Sequence, residues 1–428
     1  TEDLAAITTD QITALTTAQV AALTTDQVIN LSTDQVATLT TRQLTSLTTA
    51  QTVALTTDQL AALTTAQVAS LSEANLAKIT TDQITSLTTN QMAGLTTAQV
   101  VDLTTAQIAT LTTDQLSSLT SLQVAKMETE DLAAITTDQI TGLKTAQIAA
   151  LTTAQVVALT TAQVATLTTA QLAAFTTAQV AKMETMDLAS ITTDQITSLT
   201  TAQMAALTTD QVVALTTDQV GTLTTKQLAS LTTAQLAKME TDDIAVLTTA
   251  QLSGLTTGQM TSLTTAQIVA LTTDQMAGLS TLQLASLNSV QIANMQTRDL
   301  AAITTAQITA LTTAQMAKLT SDQVVALTTD QITAMKSAQF AALTTANLAS
   351  ITTAQITSLT TAQIAGLTTA QVITLSTDQV ASLTTSQLSA LTTAQVAKME
   401  TDDIAAITTD QITALKTAQI NALTTAQV

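Results

Sequence analysis

The sequence has no Pro, Cys, His, Trp or Tyr, and its only aromatics are Phe175 and Phe340. Without Cys there is no disulfide framework, although this leaves the compartment open. Without His or Cys the usual general bases, thiol nucleophiles and zinc ligands are missing, and no Gly-rich phosphate loop is present. The Ser and Thr hydroxyls have no nearby base. With almost no aromatic anchors, any core has to be built from small aliphatic contacts. Only 12 Lys and Arg are present, scattered along a chain of net charge −19 and pI near 4.1. That balance argues against nucleic acid and against an anionic membrane surface. No apolar run approaches the roughly 18 residues that a membrane-crossing helix needs, so membrane insertion is not expected.

What the sequence does contain is a single octad, Leu-Thr-Thr-x-Gln-[Val/Ile/Leu]-x-x, repeated without insertion or deletion. Every eighth position from Asp3 to Gln427 is Gln in 46 of 54 cases and Asp or Asn in the other eight. Strict periodicity of this kind marks a solenoid or fibrous array whose units contact mainly their neighbours. It predicts one continuous domain over residues 1–428. The chain begins and ends in mid-repeat without polar capping units, which suggests a segment of a longer protein.

In Leu15-Thr16-Thr17-Ala18-Gln19-Val20-Ala21-Ala22, taking Thr16 as N-cap places Gln19 at N3, the Thr-x-x-Gln capping box. Leu15 then falls at N′ and Val20 at N4, the two positions of a hydrophobic staple. The charges give a separate test. Of the 31 acids, 30 fall between N-cap and N3, with Asp102 the exception, as the helix macrodipole favours. Lys78, Lys126, Lys182, Lys238, Lys318 and Lys398 occupy the last position of an octad, together with Gly94, Gly142, Gly254, Gly278 and Gly366, which suit a helix end. Lys144, Lys336 and Lys416 sit instead at the N-cap.

The pattern therefore predicts an all-α solenoid of very short helices, one per octad, wound into a superhelix. One long helix is excluded because apolar residues spaced 5 and 3 apart would drift by about 80° per octad at roughly 100° per residue. The alternative is a β-solenoid, since Thr, Val and Ile favour strands and stacked Gln or Thr form ladders. The Ala-rich positions, the lack of strict alternation and the asymmetric charges stand against it.

A longer period overlies the octad. The Gln is replaced at Asp3, Asn75, Asp131, Asp187, Asp243, Asp299, Asn347 and Asp403, mostly 56 residues apart. Four of these octads carry Glu at the N-cap, at Glu128, Glu184, Glu240 and Glu400. A seven-octad period returns the marked units to one face after one turn of seven helices or two turns of three and a half. These twelve residues are the candidate positions for lateral contact or register between chains; a change of curvature or a trace of gene duplication would mark the same octads.

No catalytic, cofactor or metal residues are expected. The carboxylates of Glu128, Glu130 and Asp131, or of Glu240, Asp242 and Asp243, could offer oxygens to calcium, but no EF-hand loop or Gly-Gly-x-Gly-x-Asp nonapeptide is present, and solvated acids at helix starts account for them. The regular Thr rows differ from the Thr-x-Thr ladders of ice-binding faces. A peptide- or glycan-binding solenoid remains an alternative to a structural one.

Runs such as Leu151-Thr152-Thr153-Ala154-Gln155-Val156-Val157-Ala158 resemble the octad arrays of very long bacterial surface or secreted proteins described as adhesin-like. The resemblance spans the chain. It implies an extracellular or cell-surface stalk, filament or sheath whose main partner is the protein itself.

Overall fold

A computed structural model describes residues 6–428. Among those residues are 52 α-helices of four to six residues and no strand, so the chain is an all-α solenoid with one very short helix per octad. The β-solenoid alternative falls away. The helices divide between two compact units, Thr1–Leu215 and Thr216–Val428, and the same construction recurs inside each.

The helix starts follow the predicted frame. At the helix Thr89–Ala93, the Thr88 hydroxyl accepts the Gln91 N–H at 3.3 Å, and Gln91 Oε1 accepts the Thr88 N–H at 2.6 Å. Both halves of the capping box are thus made, which satisfies two of the four N–H groups that a helix start leaves open. Where Lys144 is the N-cap its side chain has no acceptor to offer, yet Gln147 Oε1 still takes the Lys144 N–H at 2.7 Å. Asp102, the one acid outside the helix starts, is the C-cap of Thr97–Val101.

Where the helix runs up to the next Leu, it stops because that Leu is extended. Leu39, at φ −58° and ψ 133°, ends Thr33–Thr38 with one short bond from its N–H to the Val36 carbonyl, and Ser32 and Thr40, the N-caps on either side, lie in the β region. A helix of six residues cannot persist alone in water. Its stability comes from packing, and within each unit helices lie against those three octads further on, as Thr89–Ala93 does on Thr113–Ser118.

Two apolar positions per octad build the core. The N4 residues, such as Val68, Ile84 and Met92, are completely buried, and the N′ leucines, such as Leu63 and Leu87, nearly so. Burying each side chain stabilises by about 1.5–3 kcal/mol. Thr52 replaces the apolar N4 residue once and is equally buried, with its hydroxyl donating to the Thr48 carbonyl at 3.1 Å.

The glycines stand near helix ends, but for a different reason from the one the sequence suggests. No described residue has a positive φ, so no left-handed C-cap needs Gly. A Cβ on Gly94 would instead lie 1.8 Å from Thr65 Cγ2, and one on Gly142 would lie 1.9 Å from Thr113 Cγ2. These glycines permit close approach between successive turns. No described helix is long and apolar enough to cross a membrane.

Candidate functional site

The Gln at N3 does more than cap its own helix. Packing of the N4 and N′ side chains turns N3 inward, and Gln91 is buried. While its Oε1 holds the Thr88 N–H, its Nε2 donates to the carbonyls of Leu63 at 2.6 Å and Leu60 at 2.9 Å. Those carbonyls lie 28 and 31 residues earlier, at the end of a helix, where the Leu60 C=O otherwise accepts only the Leu63 N–H at 3.2 Å. One amide therefore closes the start of one helix and the end of another. Gln43 to Leu15 and Ile12, Gln163 to Ile135 and Leu132, and Gln331 to Ile303 and Leu300 repeat the arrangement. A step of 28 residues is three and a half octads, so the seven-octad period spans two steps.

At the marked octads this bridge changes. Asp3 lies outside the described residues. Asn75 and Asn347 are buried, and each donates from Nδ2 to the leucine carbonyl 28 residues earlier, Leu47 at 3.0 Å and Leu319 at 2.9 Å. Asn75 Oδ1 also accepts the Thr49 hydroxyl at 2.8 Å. Asp131, Asp187, Asp243, Asp299 and Asp403 are no more than 2% exposed. Their Oδ1 atoms accept hydroxyls 26 residues earlier, from Thr105 at 2.8 Å, Thr161 at 2.7 Å, Thr273 at 2.9 Å and Thr377 at 3.2 Å, with Thr217 serving Asp243. Their Oδ2 atoms are buried with no hydrogen-bond partner.

The N-caps of these helices change as well. Glu128, Glu184, Glu240 and Glu400 replace Thr, are exposed, and make no side-chain cap bond. At the fifth site Gln296 is the N-cap and donates from Nε2 to the Val269 carbonyl at 2.7 Å, while Arg298 lies 3.5 Å from Asp299, the one ion pair among the described residues. Burial pushes the carboxyls of Asp131, Asp187, Asp243 and Asp403 above the usual aspartate range, against the threonine hydrogen bond. The nearby glutamates push them the same way by like charge.

The twelve marked residues therefore divide by depth. The described Asp and Asn side chains are turned toward an earlier turn of their own chain, and a surface offered to a neighbour at these octads is made of Glu128, Glu184, Glu240 and Glu400. Lys126, Lys182, Lys238 and Lys398, two residues before them, are also exposed. Among the described residues no three acidic side chains converge into a metal-binding group. A shallow open groove lined by Thr97, Ala98, Val101, Asp102 and Lys126 lies in the first unit.

Two functional groups escape sequence reasoning: the Gln amide as a bond between turns, and the second Thr of the octad as a donor to Asp. The first had a signal. A capping box accepts Glu as readily as Gln, yet none of the 54 N3 positions is Glu, so the amide N–H has a use that the box does not supply. The second had none, because that Thr recurs in almost every octad whether an Asp follows or not.

The ALTTAQ repeat matches the chain at residues 1–33, 28–65, 57–89, 124–161, 180–217, 212–249, 236–273, 292–329, 332–369, 341–377 and 396–428, most of its length. No curated protein matches it.

Proposed function

The chain belongs to the ALTTAQ repeat family and is a structural repeat protein, and from that premise we propose that it forms or extends an extracellular or cell-surface filament, stalk or sheath by association with copies of itself. The observation that carries this reading is the Gln bridge: within each unit, one more octad adds the same amide bonds and the same two buried apolar side chains. Such an array lengthens without new design. Lateral association uses the exposed Glu and Lys of the marked octads, which return along the chain at whole numbers of octads. The surface between them is mostly Thr and Ala, varies little, and suits packing against copies better than selective capture of a ligand.

Electron microscopy of the purified chain tests the proposal, with filaments of constant width as the expected result. A monodisperse monomer that captures a peptide or glycan would replace it with the binding solenoid. Because chains of net charge −19 repel one another, filament formation is expected to strengthen with added salt. Replacing Lys126-Met127-Glu128 and its three counterparts with consensus residues, with no change in assembly, would remove the lateral contact.

A further inference from the structure

Asn75 shows what an N3 side chain of its length does in this fold. Its Oδ1 accepts the hydroxyl of the Thr 26 residues earlier, and its Nδ2 donates to the leucine carbonyl 28 residues earlier. Asp131, Asp187 and Asp403 have the same length and stand at the same position, with Oδ1 on the corresponding hydroxyls of Thr105, Thr161 and Thr377. Their Oδ2 atoms are buried without a hydrogen-bond partner; placed as the Asn75 Nδ2 is, they would face the carbonyls of Leu103, Leu159 and Leu375. As a carboxylate, Oδ2 would set one acceptor against another in a site closed to water, where both go unsatisfied.

We propose that Asp131, Asp187 and Asp403 are protonated in the folded chain, each donating its Oδ2 proton to the leucine carbonyl 28 residues earlier, which makes these seams between turns tighten in acid and loosen as the pH rises. A neutral carboxyl is the isostere of the Asn side chain that the fold already accepts twice.

The groups around each site point the same way. Asp131 has Glu128 and Glu130 on its own element; the two helices packed against it, Thr105–Thr110 and Thr153–Ala158, carry no titratable side chain, and Asp102 and Lys126 are exposed. Asp187 has Glu184 beside it, Asp210 on the packed helix Thr209–Val213, none on Thr161–Thr166, and the exposed Lys182. Asp403 has Glu400 and Asp402, Asp378 on the packed helix Thr377–Ala381, and the exposed Lys398. No cation pairs with any of the three carboxyls. Asp299 is the contrast within the same chain, because there Arg298 supplies a positive charge 3.5 Å from Oδ1, while the Gln296 amide donates to the Val269 carbonyl. The sequence also marks the sites: of the eight octads with Val or Ile two residues after Gln, five stand so that this residue precedes a buried Asp by 30 positions, at Val101, Val157, Val213, Val269 and Ile373.

The sign follows from linkage. A carboxyl whose folded pKa is raised contributes stability that is fully present below the unfolded value, about 3.9, and is lost as the pH rises through the folded value. Two measurements on the full chain test this. Carbon NMR of Asp-labelled protein is expected to show the carboxyls of Asp131, Asp187 and Asp403, assigned by their absence from the triple variant below, titrating well above pH of about 3.9; midpoints at or below that value would overturn the proposal. The triple variant Asp131→Asn, Asp187→Asn, Asp403→Asn keeps a donor at every pH. Hydrogen exchange at the seams of the unmodified chain, corrected for the intrinsic rate, is expected to speed by about tenfold or more between acid and neutral pH, and to be nearly flat in the variant. An equal rise in both would overturn the proposal, as would calcium alone restoring protection at neutral pH as fully as acid does.

Discussion

The octads around Gln91 and Asp131 share a helix length within one residue, a buried N4 side chain and a buried N3 side chain, yet they close the fold in different ways. Gln91 reaches its own N-cap and two carbonyls of an earlier turn with one amide. Asp131 is one methylene shorter and has no N–H. It loses the reciprocal cap, takes a Thr hydroxyl instead, and as a carboxylate leaves an oxygen unpaired. The difference teaches that this solenoid is held by donors aimed at helix ends as well as by its apolar core, and that the donor is the element that varies.

The largest expected effect comes from abolishing the contrast in the wrong direction. Gln91→Glu keeps an acceptor for the Thr88 N–H but removes the donor to Leu60 and Leu63, and should cost about 3 kcal/mol or more locally, read by hydrogen exchange across residues 57–94. A variant as protected as the unmodified chain would mean that the amide bond carries little. The converse double change, Glu128→Thr with Asp131→Gln, turns the Asp octad into a consensus one and should gain about 1–2 kcal/mol at neutral pH, measured as a rise in the urea needed to expose that segment. Gln91→Asn comes next. Its Nδ2 should still reach the Leu63 carbonyl, as Asn75 reaches Leu47, while the reciprocal cap is lost at about 1 kcal/mol. Smallest is Gly94→Ala, whose Cβ would lie 1.8 Å from Thr65 Cγ2, which rotation of the Thr65 side chain relieves, and 3.3 and 3.4 Å from Thr65 Cβ and the Asn90 carbonyl. A cost of about 1 kcal/mol is expected, and pairing it with Thr65→Ser should remove most of that, as a double-mutant cycle would show.

Much of the local fold was legible because its causes are local. The frame Leu15, Thr16, Gln19, Val20 places N′, N-cap, N3 and N4 correctly from sequence alone, since a capping box and a staple both act within six residues. Gly94, Gly142, Gly254 and Gly278 were placed near helix ends correctly but explained wrongly, because what they face is a Thr 29 residues away. The marked octads were found by counting. That Asp131 lies inside and Glu128 outside could not be counted, since acids at a helix start are ordinarily solvated and only the packed neighbours decide which of them is not.

By itself the sequence determined where each helix begins, where it stops and which two side chains it must bury, because these follow from bonds and contacts that a residue makes with its near neighbours in the chain. Only the tertiary structure decided the step of 28 residues, the second bond of each Gln and the burial of the aspartates. Those depend on which helix end comes to rest beside which helix start, and that is fixed by side-chain volume and close approach between segments that no short-range rule connects.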